Sequence, residues 1–140
     1  MTGVVAPLAA QEAASGDGPR SNHWTIPPAA ATEHIPLAVT RQTLRDGRAL
    51  YVSHCARCHG VNGRNDGPES DSEYVNADLT VADRNEVNPD GVVFYRIWNG
   101  RGGMIPHERM PGFGFNGKLS KADVWTLVAY VQTLREKKRD

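Results

Sequence analysis

Two thiols three residues apart, followed at once by an imidazole, restrict what this chain can fold into more than any other stretch: Cys55-Ala56-Arg57-Cys58-His59. Cys55 and Cys58 sit about one helical turn apart, so both sulfurs can reach the two vinyl groups on one edge of a porphyrin. The ring of His59 can then swing under the iron as the proximal ligand. This is the attachment pattern for a c-type haem. The alternatives ask for more than the chain holds. A structural zinc site takes four nitrogen or sulfur ligands, and there is no third cysteine. A thioredoxin-like dithiol wants a βαβ setting, and no strand pattern precedes Cys55. Cys55 and Cys58 are therefore read as covalent attachment points for one haem c, with His59 as an iron ligand.

A chain of 140 residues is one domain, or one domain plus a tail. Sixteen basic and sixteen acidic residues cancel, so nothing global argues for nucleic acid or an anionic membrane as a partner. With both cysteines used by the haem, no disulfide reports the compartment. The haem itself does, because in bacteria it is attached outside the cytoplasmic membrane, which implies an exported protein, periplasmic or otherwise outside that membrane. Residues 1–10 (MTGVVAPLAA) are small and apolar but lack a basic start and a full apolar run. They read either as the remnant of a signal peptide cut near Ala10-Gln11 or as a flexible N-terminus. No stretch approaches the roughly 18 apolar residues of a membrane span, so membrane association is expected only through a partner.

Two regions follow from composition. Residues 1–39 are rich in Ala, Pro, Gly and Ser and show no period, as in a disordered leader. Trp24, Ile26, Ile35 and Leu37 are more apolar than a solvated tail needs, which leaves open an extended arm lying on its own domain or on a partner. Residues 40–140 carry the folded domain. A helix is expected from Thr40, as N-cap, to His54, with Leu44, Gly47, Tyr51 and Cys55 on one face. Glycine inside a helix costs about 1 kcal/mol relative to alanine, so Gly47 suggests a close crossing by another element.

Residues 60–88 are polar and broken by glycines, and read as a long loop around the haem. Eight acids and one base fall between Asp66 and Asp90, which suits a solvated loop, with a steering patch or cation site as the sharper reading. Asn88, as N-cap, and Pro89, at the first helical position, open a short helix with Val93, Phe94, Ile97 and Trp98 on its apolar face and Gly100 at its end. A second glycine-rich loop over 101–118 holds Met104, Met110, Phe113 and Phe115. Ser120 and Asp123 form a capping-box-like start to the last helix, whose stripe is Val124, Leu127, Val128, Val131 and Leu134. The fold class is all-α: three or more helices with long loops, too little for a core of their own, wrapped around a haem that completes it.

From about Thr40 to Arg135 the chain resembles the class I cytochrome c family. The residues that carry the resemblance are Gly47, Tyr51, Cys55-Ala56-Arg57-Cys58-His59-Gly60, Met110-Pro111-Gly112-Phe113 and Leu127-Val128-Ala129-Tyr130, in the family's order. The resemblance implies that Gly47 and Tyr51 cross Leu127 and Tyr130. It implies that the carbonyl of Pro68 accepts a hydrogen bond from the proximal His59, and that Met110, stiffened by Pro111 and followed by Phe113, is the distal iron ligand. Met104 is the alternative distal ligand, and His107 a remoter rival; His23, His34 and His54 read as surface residues. Asn76–Thr80 and Tyr95–Gly100 look like single-haem bacterial cytochromes that serve dehydrogenases or respiratory complexes.

The functional expectation is one-electron transfer. Iron closed on both axial faces by His59 and a methionine offers no open position, and the soft thioether favours the ferrous state. No nucleophile–base pair or phosphate-cradling loop suggests an enzyme. The expected partners are a redox donor and acceptor, such as a dehydrogenase or a membrane respiratory complex. The alternative is a ligand-binding, sensor or peroxidase-like haem protein with a labile distal position.

Overall fold

The computed structural model describes residues 26–70, 78–80, 88–101 and 110–137, with side chains through Arg135. A 3-10 turn, Pro28–Thr32, precedes four helices: α1 (Arg41–His54), α2 (Ala56–His59), α3 (Asp90–Asn99) and α4 (Lys121–Lys137). No strand is present among the described residues. The fold is all-α, as expected.

Helix α1 begins where Thr40 was expected to cap it. The Thr40 hydroxyl accepts from the Thr43 amide at 3.1 Å, and the Thr43 hydroxyl accepts from the Thr40 amide at 3.1 Å. Two amides that would otherwise lack helical partners are thereby satisfied. Helix α4 starts in the same reciprocal way, with Ser120 Oγ accepting from the Asp123 amide and Asp123 Oδ2 accepting from the Ser120 amide.

These two helices cross at the glycine. A Cβ on Gly47 would lie 2.6 Å from the Thr126 carbonyl oxygen and 2.7 Å from Tyr130 Cβ, so only glycine lets the backbones approach this far. One turn on, Tyr51 packs its ring on Tyr130 with centroids 5.5 Å apart. Tyr51, Val124, Leu127 and Val128 are wholly buried, and Val131 and Leu134 nearly so. The α4 stripe read from the sequence is the inner wall of the core.

Helix α3 starts one residue later than its sequence suggests. Pro89 is the N-cap residue, in an extended conformation, and helical geometry begins at Asp90. Asn88 does not cap because it is buried and engaged elsewhere. Its side-chain oxygen accepts from Arg96 Nη1 at 2.6 Å, and its carbonyl accepts from Gln132 Nε2 at 2.9 Å. Val93, Phe94 and Ile97 are buried, and Phe94 stacks on Trp125 of α4 with centroids 4.2 Å apart.

Part of the N-terminal region is folded onto α3. Ala30 is wholly buried, the Gly91 amide donates to the Glu33 carbonyl at 3.1 Å, and a Cβ on Gly91 would strike the Ala30 carbonyl. Ile35 packs against the core. Trp24 and residues 1–10 lie outside the described residues.

Candidate functional site

The proximal half of the site is built by a break between two helices. Helix α1 ends at Cys55, whose amide still donates to the Tyr51 carbonyl at 2.8 Å. Its backbone then leaves helical geometry (φ −120°, ψ −33°) and restarts as α2, with the amides of Cys58 and His59 both donating to the Cys55 carbonyl. The turn presents Cys55, Cys58 and His59 together on a single short element. Both thiols are free, Cys55 buried and Cys58 partly so. Burial, and then the neighbouring Cys58, push the Cys55 thiol up to about 12. Burial and then Glu69 raise the Cys58 thiol as well. A redox dithiol or a thiolate metal site needs the opposite shift.

The loop after His59 is laced onto α2. Tyr51 donates from its buried hydroxyl to the Gly60 carbonyl at 2.6 Å. The carbonyls at the end of α2 find amides in the loop, Asn65 donating to His59 and Glu69 to Arg57. Gly67 lies against the carbonyls of Ala56 and Arg57, where a Cβ would not fit. Pro68 is therefore held between two anchored neighbours, directly beside α2, and is itself exposed.

The distal half hangs from the end of α3. The Arg101 amide donates to the Met110 carbonyl at 3.0 Å, and the amides of Phe113, Gly114 and Phe115 donate to carbonyls of Ile97 and Trp98. Gly100, at φ +70°, and Gly112 let the two backbones touch, and Gly114 lies under the Trp98 indole. Met110 is half-buried and packs against the core, while Phe113 is buried. Met104 and His107 lie outside the described residues.

Met110, Phe113, Cys55 and Ala56 meet in or against one apolar cluster with Tyr51, Leu127, Tyr130 and Val131. The donors at this cluster are the Cys55 thiol and the Met110 thioether, with Cys58 and His59 on the adjoining turn. No group of three or more His, Cys, Asp or Glu side chains able to hold a metal ion occurs among the described residues. Two thiols about one helical turn apart suit attachment to one porphyrin edge, and one imidazole with one soft sulfur suits the two axial faces of a haem iron. The residues present fit the group.

Sequence reasoning missed His54. It was read as a surface residue, but it is half-buried, and the edge of its ring meets Phe113 with centroids 5.4 Å apart. Its helical offset from Tyr51, three residues, carried that signal. His34 is exposed, and His23 is outside the described residues. The polar group of Asn88, Arg96, Gln132 and Arg135 was also missed, since nothing in a sequence pairs residues so far apart. Gln132 bonds Asn88 and Asp90, while Arg135 bonds Gln132 and the Leu79 carbonyl. Two separated ends of the 78–90 segment are thus tied to α4.

The family model of cytochrome c matches residues 44–135, which span α1 through the last full turns of α4. The chain belongs to the cytochrome c family, as a class I c-type cytochrome, and is thus a haem-based electron carrier. Cytochrome c6 of Synechocystis sp. is 31% identical over 94 residues, which cover 67% of this chain and 68% of that protein. Among solved structures, a chain of the Kuenenia stuttgartiensis reducing HAO-like protein complex is similar with a TM-score of 0.58 and 32% identity. The similarity covers 71% of this chain and 46% of that one, so this chain spans less than half of its length. No helix of the described residues is long and apolar enough to cross a membrane.

Proposed function

We propose that this chain is an exported, single-haem, one-electron carrier with His59 and Met110 as axial ligands, exchanging electrons with a dehydrogenase or respiratory complex. The observation that carries the reading is the meeting of Cys55 and the Met110–Phe113 segment in one apolar cluster. When bound, the haem supplies an iron that alternates between ferric and ferrous states. Cys55 and Cys58 would hold it by thioether bonds. His59 and Met110 would close the two axial faces, leaving no position for a substrate. The thioether favours the lower charge of the ferrous state. Phe113 and the cluster around it exclude water, which works in the same direction. The carbonyl of Pro68 would accept from the His59 imidazole and fix its tautomer.

The redox context is supported by a similar chain standing within a reducing HAO-like protein complex. Export is supported by the haem attachment pattern, since this cofactor is joined outside the cytoplasmic membrane in bacteria. The test is a pair of variants of the haem-loaded protein. Met110→Ala abolishes the weak sulfur-to-ferric-iron band in the far red and lowers the reduction potential, whereas Met104→Ala leaves the band in place. The reverse pattern would make Met104 the ligand. Haem released by acid-acetone extraction would end the covalent reading altogether.

A further inference from the structure

The turn that carries the thiols and the segment that carries Met110 belong to different elements, and one side chain outside the donor set spans the gap between them. In the last turn of α1, Val52 and Ser53 are exposed, whereas His54 is half-buried, three residues on from Tyr51 and directly before Cys55. The edge of its ring meets the Phe113 ring, with centroids 5.4 Å apart and planes at 69°. An edge-on approach is a favoured arrangement for an aromatic pair. Among the described residues it is the one ring contact that joins α1 to the Met110–Phe113 segment.

The backbone ties of that segment run elsewhere. The Met110 carbonyl accepts from the Arg101 amide, the Phe113 amide donates to the Ile97 carbonyl, and the Phe113 carbonyl accepts from the Leu119 amide. These bonds hold the segment to the end of α3 and to the chain that follows it. None of them reaches the helix that presents Cys55. Only Pro111 and Gly112 separate Phe113 from Met110. Pro111 has its φ fixed by its ring, and Gly112 lies against the Asn99 carbonyl, where a Cβ would not fit. A displacement of Phe113 is therefore passed on to Met110 rather than absorbed between them.

We propose that His54 is a positioning residue for the distal ligand: its ring edge braces Phe113 and so holds the Met110 segment closed on the site. The inference rests on the Met110 ligation proposed above and deepens it. One aromatic contact contributes little to the whole fold, but a segment of this kind can open while the fold stays closed. The affinity of an outside ligand for the iron then scales with the fraction of molecules that are open. A charged histidine in the last turn of a helix also suits the macrodipole, which would serve α1 alone. Substitution separates the two roles. Phenylalanine keeps the ring and discards the charge, whereas alanine discards both and preserves the helix.

Imidazole is titrated into the ferric, haem-loaded full chain, and displacement of the methionine is followed by loss of the far-red band. His54→Ala should bind imidazole roughly two- to tenfold more tightly than the parent, the range set by losing one aromatic pair. His54→Phe should stay within about twofold of the parent, because the edge contact remains. In a Phe113→Leu background, His54→Ala should have no further effect, since the two side chains form one contact. Equal tightening by His54→Ala and His54→Phe would assign the residue to the helix end and overturn the proposal. An undiminished effect of His54→Ala in the Phe113→Leu background would overturn it too. A parent that keeps its haem but lacks the far-red band would overturn the Met110 ligation and this inference together. A parent with the band and a silent His54→Ala would overturn this inference alone.

Discussion

The crossing of α1 and α4 and the Met110–Gly114 segment both close the core around the site, but by different physics. At the crossing, wholly buried Tyr51, Val124, Leu127 and Val128 interlock around Gly47, and the contact depends on the volume of each side chain. The distal segment is held mostly by backbone hydrogen bonds to the end of α3 and by glycines that let main chains touch. A volume-dependent contact between two helices cannot yield locally. A hung segment can shift without unfolding the domain. The crossing is therefore built for permanence and the Met110–Gly114 segment for position, which would suit the covalent attachment and the methionine ligation proposed above.

The largest expected effect tests the crossing. Gly47→Val would drive a Cβ bearing two methyl groups into the Thr126 carbonyl and Tyr130. The loss should lie near the upper end of the ~1–3 kcal/mol typical of overpacking. Chemical denaturation of the haem-loaded protein measures it. A variant as stable as the parent would mean that the helices separate there at no cost.

Gly114→Ala probes the hung segment. Its new methyl would meet the Trp98 indole, so either the ring or the segment must move. Because the segment can yield, the stability loss should be smaller, about 1 kcal/mol at the low end of the same range. The far-red band expected of the proposed methionine ligand should nonetheless shift or weaken. An unchanged band with a large stability loss would reverse the contrast between the two regions.

A comparably small effect tests the tie between the crossing and the loop after His59. Tyr51→Phe keeps the ring in the crossing but removes the hydrogen bond to Gly60, a net loss of ~0.5–1.5 kcal/mol at neutral pH. The phenol is raised from its ordinary value of 10.0, chiefly by burial and then by Cys55, Tyr130 and Asp66. The parent thus keeps its tyrosine neutral in the fold, and the associated stability is complete below pH 10 and lost as pH rises above it. The gap between parent and variant should accordingly narrow in alkaline solution. A gap that widens above that pH would show that the hydroxyl is not buried in this bond.

The legibility of these regions differed for the same reasons. Thr40 with Thr43 and Ser120 with Asp123 were readable as helix starts because capping acts across three residues. Gly47 was readable as a close crossing because a mid-helix glycine has a known local cost. Pro89 shows the limit: it looked like the first helical residue, yet Asn88 is drawn into bonds with Arg96 and Gln132, and helical geometry starts later. His54 looked like a surface residue because its partner, Phe113, lies 59 positions away.

By itself the sequence determined the three longer helices, the caps of α1 and α4, the close crossing at Gly47 and the Cys55–His59 spacing, since each depends on periodicity or spacing within a few residues. Tertiary structure alone decided how the Met110 segment is aimed, through amides of Phe113 and Gly114 bonded to α3 carbonyls that any residue type could supply. It also decided the burial of Gln132 and Arg135 beside the ends of a distant segment. Backbone hydrogen bonds and long-range polar contacts carry no residue-specific pattern, so only the folded chain discloses them.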